Sequence, residues 1–295
     1  MGSAREAVRP ASSTEKTELS TTSETGNRSM STLSEAIIDP STGLSGDDLE
    51  ELLKSVLIII PYRGSENINA NLENKISYWR GCGIAVEKVE DQFGGFIELT
   101  RASIARKFLD HCVDTSSAFD KLIMIDSDQD VAPEAPIKLA QWDVPVVSGV
   151  VCSPNPRRGL FANFCVKDKY GVPRFPSVKH TKKLPSRGLL KVHSSGTGLI
   201  CIKKNVIETI FESGDIPFYI EEKMRRDAVK TGLLKLGEDT RFSEQCRNAG
   251  FDIYVDLSVH AVHYKCVGVM WPTTAFDAEL KAEDFMVDVK DYLHG

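Results

Sequence analysis

The sequence predicts an α/β protein built on a mostly parallel sheet with helices on both faces. Two observations carry that expectation. The runs "VLIIIP" from Val56, "KLIMI" from Lys121 and "PVVSGVV" from Pro145 have strand length, and their apolar character suits strands covered on both sides. Segments of helical spacing separate them, and alternating strands and helices argue for parallel pairing.

The elements follow in order. In "SGDDLEELLKS" (45–55) Ser45 precedes an acidic first turn and the leucines fall on one side, the pattern of a capped helix. "VLIIIP" is the first strand. "ENINANLENKISYWRGCG" (66–83) spaces Ile68, Leu72, Ile76 and Trp79 as a helix does and stops on glycines. "IAVEKVE" (84–90) alternates as a second strand. "RASIARKFLDHCVD" (101–114) reads as a helix, "KLIMID" as the third strand, "APEAPIKLAQW" (132–142) as a short helix and "PVVSGVV" as the fourth strand. Turn-rich, basic sequence follows, with Arg157, Arg158, Lys179, His180, Lys182, Lys183 and Arg187. "GTGLICIKKNVIETIFESG" (196–214) then gives a strand and a helix, and "GEDTRFSEQCRNAGFDIYVD" (237–256) a helix and a last strand.

Composition excludes several classes. The 295 residues are 41% hydrophobic and 26% charged, enough for a full core. A net charge of −6 supplies no global basic field for nucleic acid or anionic lipid. The seven cysteines (82, 112, 152, 165, 201, 246, 266) are scattered without a C-x-x-C pair, so free thiols are expected rather than disulfides or zinc. No apolar run reaches the roughly 20 residues of a membrane span. "MGSAREAVRP" lacks the apolar core of a secretory signal, and Glu6 stands where a myristoylation motif has Ser or Thr. The expected location is the cytoplasm. Residues 1–46, rich in Ser, Thr and Glu, are expected to be a disordered leader.

"KLIMIDSDQDV" (121–131) is the chemical centre of the sequence. Ligands of open parallel sheets bind beyond the carboxyl ends of the strands, and Asp126 and Asp128 stand there. Two readings are open. Asp is a common turn former, so the run can be a solvated turn. Paired carboxylates also suit Mg²⁺ or Mn²⁺, which bind through a few oxygens plus a ligand's phosphates. A calcium loop is excluded, because Val131 and Ile137 occupy the positions of its glycine and glutamate. Around the aspartates, "IIIPYRG" offers Tyr62 to a base and Arg63 to a phosphate. The 101–114 helix carries Arg101 and Arg106, either phosphate contacts or solvated surface groups. Glu238 and Asp239 open a helix, where acids also favour the helix dipole. His260 and His263 lie near the last strand.

Taken together, in order, "VLIIIPYRG", "RASIARKFL", "KLIMIDSDQDVAPEAPIKL", "VPVVSGVVCSPNPRRG", "SSGTGLICIKKNVIETI" and "GEDTRFSEQCRNAGFDIYVDLSVHAVHYK" resemble the GT-A fold glycosyltransferases, in particular the family-2-like set of bacteria and phages. The resemblance spans roughly residues 55–265. It implies one Rossmann-like domain over 47–295, with a nucleotide-binding half at about 55–152, an acceptor-shaping half at about 153–270 and a C-terminal extension at 271–295. It implies a metal-dependent hexosyltransferase-like enzyme. Asp126 and Asp128 would be its D-x-D pair, and Asp126, Asp128 and His263 would form the Mn²⁺ or Mg²⁺ site, with Asp128 the direct ligand, Asp126 nearer the ribose or a metal-bound water, and His260 a stand-in for His263. Pro61, Tyr62 and Arg63 would line the base pocket, with Glu90 or Asp91 as a further contact. Arg106 would face the nucleotide, although Lys107 follows it where relatives often have Asn. Gly196, Thr197 and Gly198 would lie close to the sugar. Glu238 and Asp239 match the E-D pair of inverting members, Asp239 being the general base; retaining relatives use similar acids for binding. The implied donor is a UDP- or GDP-sugar, and the acceptor a glycan, a small molecule or a modified nucleic-acid base. The rival readings are a nucleotidyltransferase acting on a sugar phosphate and a non-catalytic nucleotide-sugar or glycan binder. Against the former, "PYRGSENINAN" has one glycine and little positive charge after the first strand.

Overall fold

The computed structural model describes residues 45–63, 70–114, 119–155, 159–167, 170–176, 187–224, 226, 237–265 and 267–269. All but the last two residues of the expected leader, the 271–295 extension and much of the basic stretch (Arg157, Arg158, Lys179, His180, Lys182, Lys183) lie outside the described residues, as does the start of the 66–83 helix.

The chain runs α1 (Gly46–Lys54), β1 (Val56–Tyr62), α2 (Ala70–Gly81), β2 (Ala85–Glu90), α3 (Ile97–Asp114), β3 (Lys121–Ile125), β4 (Gln129–Val131), α4 (Ala135–Ala140) and β5 (Val146–Asn155). It continues through β6 (Gly159–Ala162), β7 (Phe164–Lys167), β8 (Pro173–Arg174), β9 (Leu189–Val192), β10 (Ser194–Ser195), β11 (Leu199–Lys203), α5 (Lys204–Glu212), α6 (Glu238–Asn248), β12 (Ile253–Lys265) and β13 (Val267–Val269). The expected cap on α1 is a reciprocal box: Asp48 N donates to Ser45 Oγ and Ser45 N donates to Asp48 Oδ2.

The main sheet is ordered β13-β12-β5-β11-β3-β1-β2. β1 pairs in parallel with β2 and β3, and β12 pairs in parallel with β5. Between these blocks β11 runs antiparallel to both β3 and β5, so β2, β1, β3, β5 and β12 point one way. The sheet is therefore mostly parallel in direction, yet β3 and β5 are separated by a reversed strand. Apolar periodicity carries no direction, and "LICIK" reads alike in either sense.

Two apolar layers sandwich the sheet. Leu57 and Ile59 of β1 and Leu122 and Met124 of β3 pack with Ile104 and Phe108 of α3 and Phe242 of α6. Ile58, Ile60, Ile123 and Ile125 pack with Leu72, Ile76 and Trp79 of α2 and Leu139 of α4. This two-sided burial is why β1 is apolar from Val56 to Pro61 and β3 from Leu122 to Ile125. Each fully buried isoleucine contributes roughly 1.5–3 kcal/mol. No described helix is long and apolar enough to cross a membrane.

Candidate functional site

The carboxyl ends of β1, β2 and β3 open into a cavity of about 350 Å³ lined by Pro61, Tyr62, Arg63, Asp91, Gly95, Arg101, Asp126, Asp128 and Glu238. The reversed direction of β11 completes the site. Because Leu199 pairs with Ile125, the Gly196–Gly198 segment enters beside the end of β3, and Asp126 N donates to Gly198 O at 2.8 Å. A Cβ on Gly198 would collide first with the Gln129 side-chain amide and would lie 2.8 Å from Asp126 Oδ2. The absence of a side chain is what lets Gln129 and Asp126 both close on this backbone.

Arg101 organises the acids. It is 4% exposed. Its Nη2 donates to Asp126 Oδ1 and Oδ2 at 2.9 and 3.0 Å, its Nη1 to Asp239 Oδ1 at 3.4 Å, and Glu238 Oε1 lies 4.0 Å away. Burial opposes the charge on Arg101, but Asp126, Asp239 and Glu238 outweigh it and raise the guanidinium pKa. Burial likewise pushes the Asp126 carboxyl up, with Asp128 and Asp239 adding to the push and Arg101 opposing it. Glu238 is pushed up to about 7 by burial and the charge of Asp239. Titratable groups displaced this far cluster at functional sites.

Asp91 shapes the rim. Its carboxylate accepts from Phe93 N, Gly95 N and Thr100 Oγ1 at 2.9, 2.7 and 2.8 Å. Burial pushes this acid up, but those hydrogen bonds and Arg63 prevail and hold it below the usual range. At Gly95, where φ is +96°, a Cβ would sit 2.8 Å from Arg63 Nη2, so the loop lets the guanidinium lie against its backbone. Asp91 thus builds the loop that leads into α3.

β12 brings the histidine. Its second half pairs with β4, His263 opposite Gln129. His263 Nε2 then lies 3.2 Å from Asp128 Oδ2, while its buried Nδ1 has no hydrogen-bond partner among the described residues. Among those residues no group of three or more His, Cys, Asp or Glu side chains forms a complete metal site. Both Asp126 oxygens are engaged by Arg101, which leaves Asp128 and His263 as the adjoining donors. One carboxylate and one imidazole fit an ion that takes its remaining ligands from a diphosphate and water.

Two sequence candidates lie elsewhere. Arg106 places its guanidinium over the Phe211 ring at 4.1 Å, between α3 and α5, and does not line the cavity. Arg101 holds the inward position, and a signal existed for it. Arg101, Ile104, Ala105 and Phe108 follow i, i+3, i+4, i+7 and are all buried, so Arg101 is the one charge among four residues that turn the same face to the core. His260 lines a separate cavity with Lys75, Asp130 and Lys138. Burial, helped by Lys138 and opposed by Asp256, pushes its imidazole down to about 4. The Thr197–Asp239 contact is a further feature of the site: Thr197 N and Oγ1 both donate to Asp239 Oδ1. The described cysteines are free thiols; burial pushes Cys152 and Cys201 up to about 12, which disqualifies them as nucleophiles at neutral pH.

No family model and no curated protein matches the sequence. Among solved structures, protein A197 from STIV is similar at 18% identity and a TM-score of 0.43, over 71% of this chain and 85% of that one. A glycosyltransferase involved in glycosylation of the major capsid of PBCV-1 is similar at 11% identity and a TM-score of 0.30, over 60% of this chain and 75% of that one.

Proposed function

We propose that this protein is a metal-dependent glycosyltransferase, moving a sugar from a nucleotide-diphosphate sugar to an acceptor hydroxyl with inversion, Asp239 being the general base. One observation carries the reading. The ends of three strands and the start of α6 bring Arg63, Arg101, Asp126, Asp128 and Glu238 to one strand-end cavity, and Asp239 is joined beside it to Arg101 and, through the Gly196–Gly198 segment, to Thr197.

Each part has a chemical task. Pro61, Tyr62 and Arg63 hold the base and a phosphate at the end of β1. Asp128 and His263 would hold Mn²⁺ or Mg²⁺, which when bound supplies positive charge to the diphosphate. Asp126, fixed by Arg101, lies beside the ribose. Asp239 takes the proton of the acceptor hydroxyl while the hydroxyl oxygen, not the carboxylate, bonds to the anomeric carbon. The bond from that carbon to the diphosphate breaks, and its electron pair leaves on the nucleoside diphosphate. Glu238, held partly protonated near neutrality, limits negative charge beside the leaving group.

The test is a panel of UDP- and GDP-sugars with and without Mn²⁺, read by released nucleotide and by melting temperature. Stabilisation by one nucleoside diphosphate only with Mn²⁺, lost in Asp128→Asn, is the expected result. No response to any donor, with or without the ion, would sink the proposal.

A further inference from the structure

We infer that Thr197 is the positioning residue of the general base: its hydroxyl and amide clamp one oxygen of Asp239 so that the other faces the acceptor. The inference rests on the glycosyltransferase reading above. It comes from an asymmetry in how Asp239 is held. Thr197 N donates to Asp239 Oδ1 at 3.2 Å, Thr197 Oγ1 donates to the same atom, and Arg101 Nη1 approaches it at 3.4 Å. All three donors converge on Oδ1, and no described residue donates to Oδ2. The Asp239 side chain is 42% exposed, whereas Thr197 is fully buried.

A carboxylate on a single-bonded stem rotates freely unless its oxygens are held, and a base that must meet one proton gains from a fixed orientation. Thr197 can hold it because its own backbone is pinned on both sides. Gly196 N donates to Asn163 O at 2.5 Å, and Gly198 O accepts from Asp126 N at 2.8 Å. A Cβ on Gly196 would meet Asn163 at 3.0 Å, so the segment is seated tightly. The same three residues therefore tie the aspartate at the end of β3 to the carboxylate at the start of α6. This sets the distance between the donor and the atom that deprotonates the acceptor. Arg101 touches both carboxylates, so Thr197 is the group dedicated to Asp239.

In the reaction with water as acceptor, Asp239 Oδ2 takes a proton from water as the water oxygen bonds to the anomeric carbon. The carbon–oxygen bond to the diphosphate breaks, and the nucleoside diphosphate departs with the electron pair. Removing the Thr197 hydroxyl leaves every reacting atom present and lets the carboxylate turn. The cost falls on turnover rather than on donor affinity.

The experiment uses the full chain with Mn²⁺ and a panel of UDP-glucose, UDP-galactose, UDP-N-acetylglucosamine and GDP-mannose. It measures released nucleoside diphosphate (kcat and KM), calorimetric affinity for that diphosphate, and melting temperature, for wild type, Thr197→Val, Thr197→Ser and Asp239→Asn. Thr197→Val keeps the volume and should lower kcat roughly ten- to hundredfold, with KM, diphosphate affinity and melting temperature near wild type. Thr197→Ser, which keeps the hydroxyl, should restore kcat to within a few-fold. Asp239→Asn should lose turnover and still bind the diphosphate. A Thr197→Val kcat within twofold of wild type overturns the inference, as does failure of Thr197→Ser to rescue. A parallel loss of diphosphate affinity and melting temperature also overturns it, since that marks a structural role. A wild-type protein inert to every donor is a different outcome: it removes the glycosyltransferase reading, and the inference with it.

Discussion

Two cavities of similar size meet the D-S-D-Q-D run. Asp126 and Asp128 line the one of about 350 Å³ at the strand ends, and Asp130 lines the one of about 310 Å³ between α2, α4 and β12. Size does not separate them; charge does. In the second, Lys75 pairs with Asp130, which also accepts from Asn71 at 3.1 Å, and Lys138 lies 3.8 Å from Glu134. Its His260 is held neutral. In the first, the lining carboxylates of Asp91, Asp126, Asp128 and Glu238 outnumber the lining guanidiniums of Arg63 and Arg101, and His263 stands 3.2 Å from Asp128. A cavity whose charges cancel is stable as it stands. One with surplus acid is stabilised by a cation or by a ligand that brings one.

The widest contrast should appear in turnover. If the strand-end cavity is the reaction site, Asp239→Asn should lower kcat roughly 10²- to 10⁴-fold while leaving nucleotide affinity intact. Asp130→Asn, in the balanced cavity, should leave kcat within about twofold, since Asp130 approaches no proposed ligand group. Steady-state kinetics on a responsive donor checks both. Equal losses from the two variants would erase the distinction between the cavities.

Stability should separate them next. Arg101 is 5% exposed at its side chain and serves three acids, so Arg101→Met leaves Asp126, Glu238 and Asp239 without a buried counter-charge. The expected cost is about 3–5 kcal/mol. Lys75 and Asp130 are 18% and 19% exposed, and water partly compensates a broken pair there, so Lys75→Met should cost about 1–2 kcal/mol. Urea unfolding of the two variants measures the gap. If the costs were alike, Arg101 would be an ordinary ion-pair partner rather than the organiser of an overcharged site.

These contrasts also show which parts of the molecule can be read from its sequence. The strands, the α1 cap and the aspartates at the end of β3 are local patterns, because burial on both faces and a capping box write themselves into neighbouring residues. The direction of β11 is not local. It depends on which sheet edge the Gly196–Gly198 segment can reach, and apolar periodicity is blind to it. Arg101 and Arg106 show the same limit on one helix. Five residues turn the helix by about 500°, so the two point to different faces, and only the packing of Ile104, Ala105 and Phe108 selects the inward one. The joining of Thr197 to Asp239 and of Asp128 to His263 spans 42 and 135 residues. Such contacts exist only once the sheet is assembled.

The smallest effect is in the pH dependence of stability, because the two cavities act in opposite directions. Glu238 titrates near 4.5 when unfolded and at about 7 when folded, so between those values the folded protein binds more protons. Its contribution is full below about pH 4.5 and is lost as pH rises through about 7. His260 titrates near 6.5 unfolded and at about 4 folded, so between those values the unfolded chain binds more protons. Its contribution is present above about pH 6.5 and is lost as pH falls toward 4. The two slopes overlap between about pH 4.5 and 6.5 and oppose each other, which should flatten the wild-type profile there. Glu238→Gln should unmask a stability that rises with pH across this window, and His260→Gln one that falls. Chemical denaturation at half-unit pH steps distinguishes them, and slopes of the same sign in both variants would show that the two cavities do not differ in the charge state they impose.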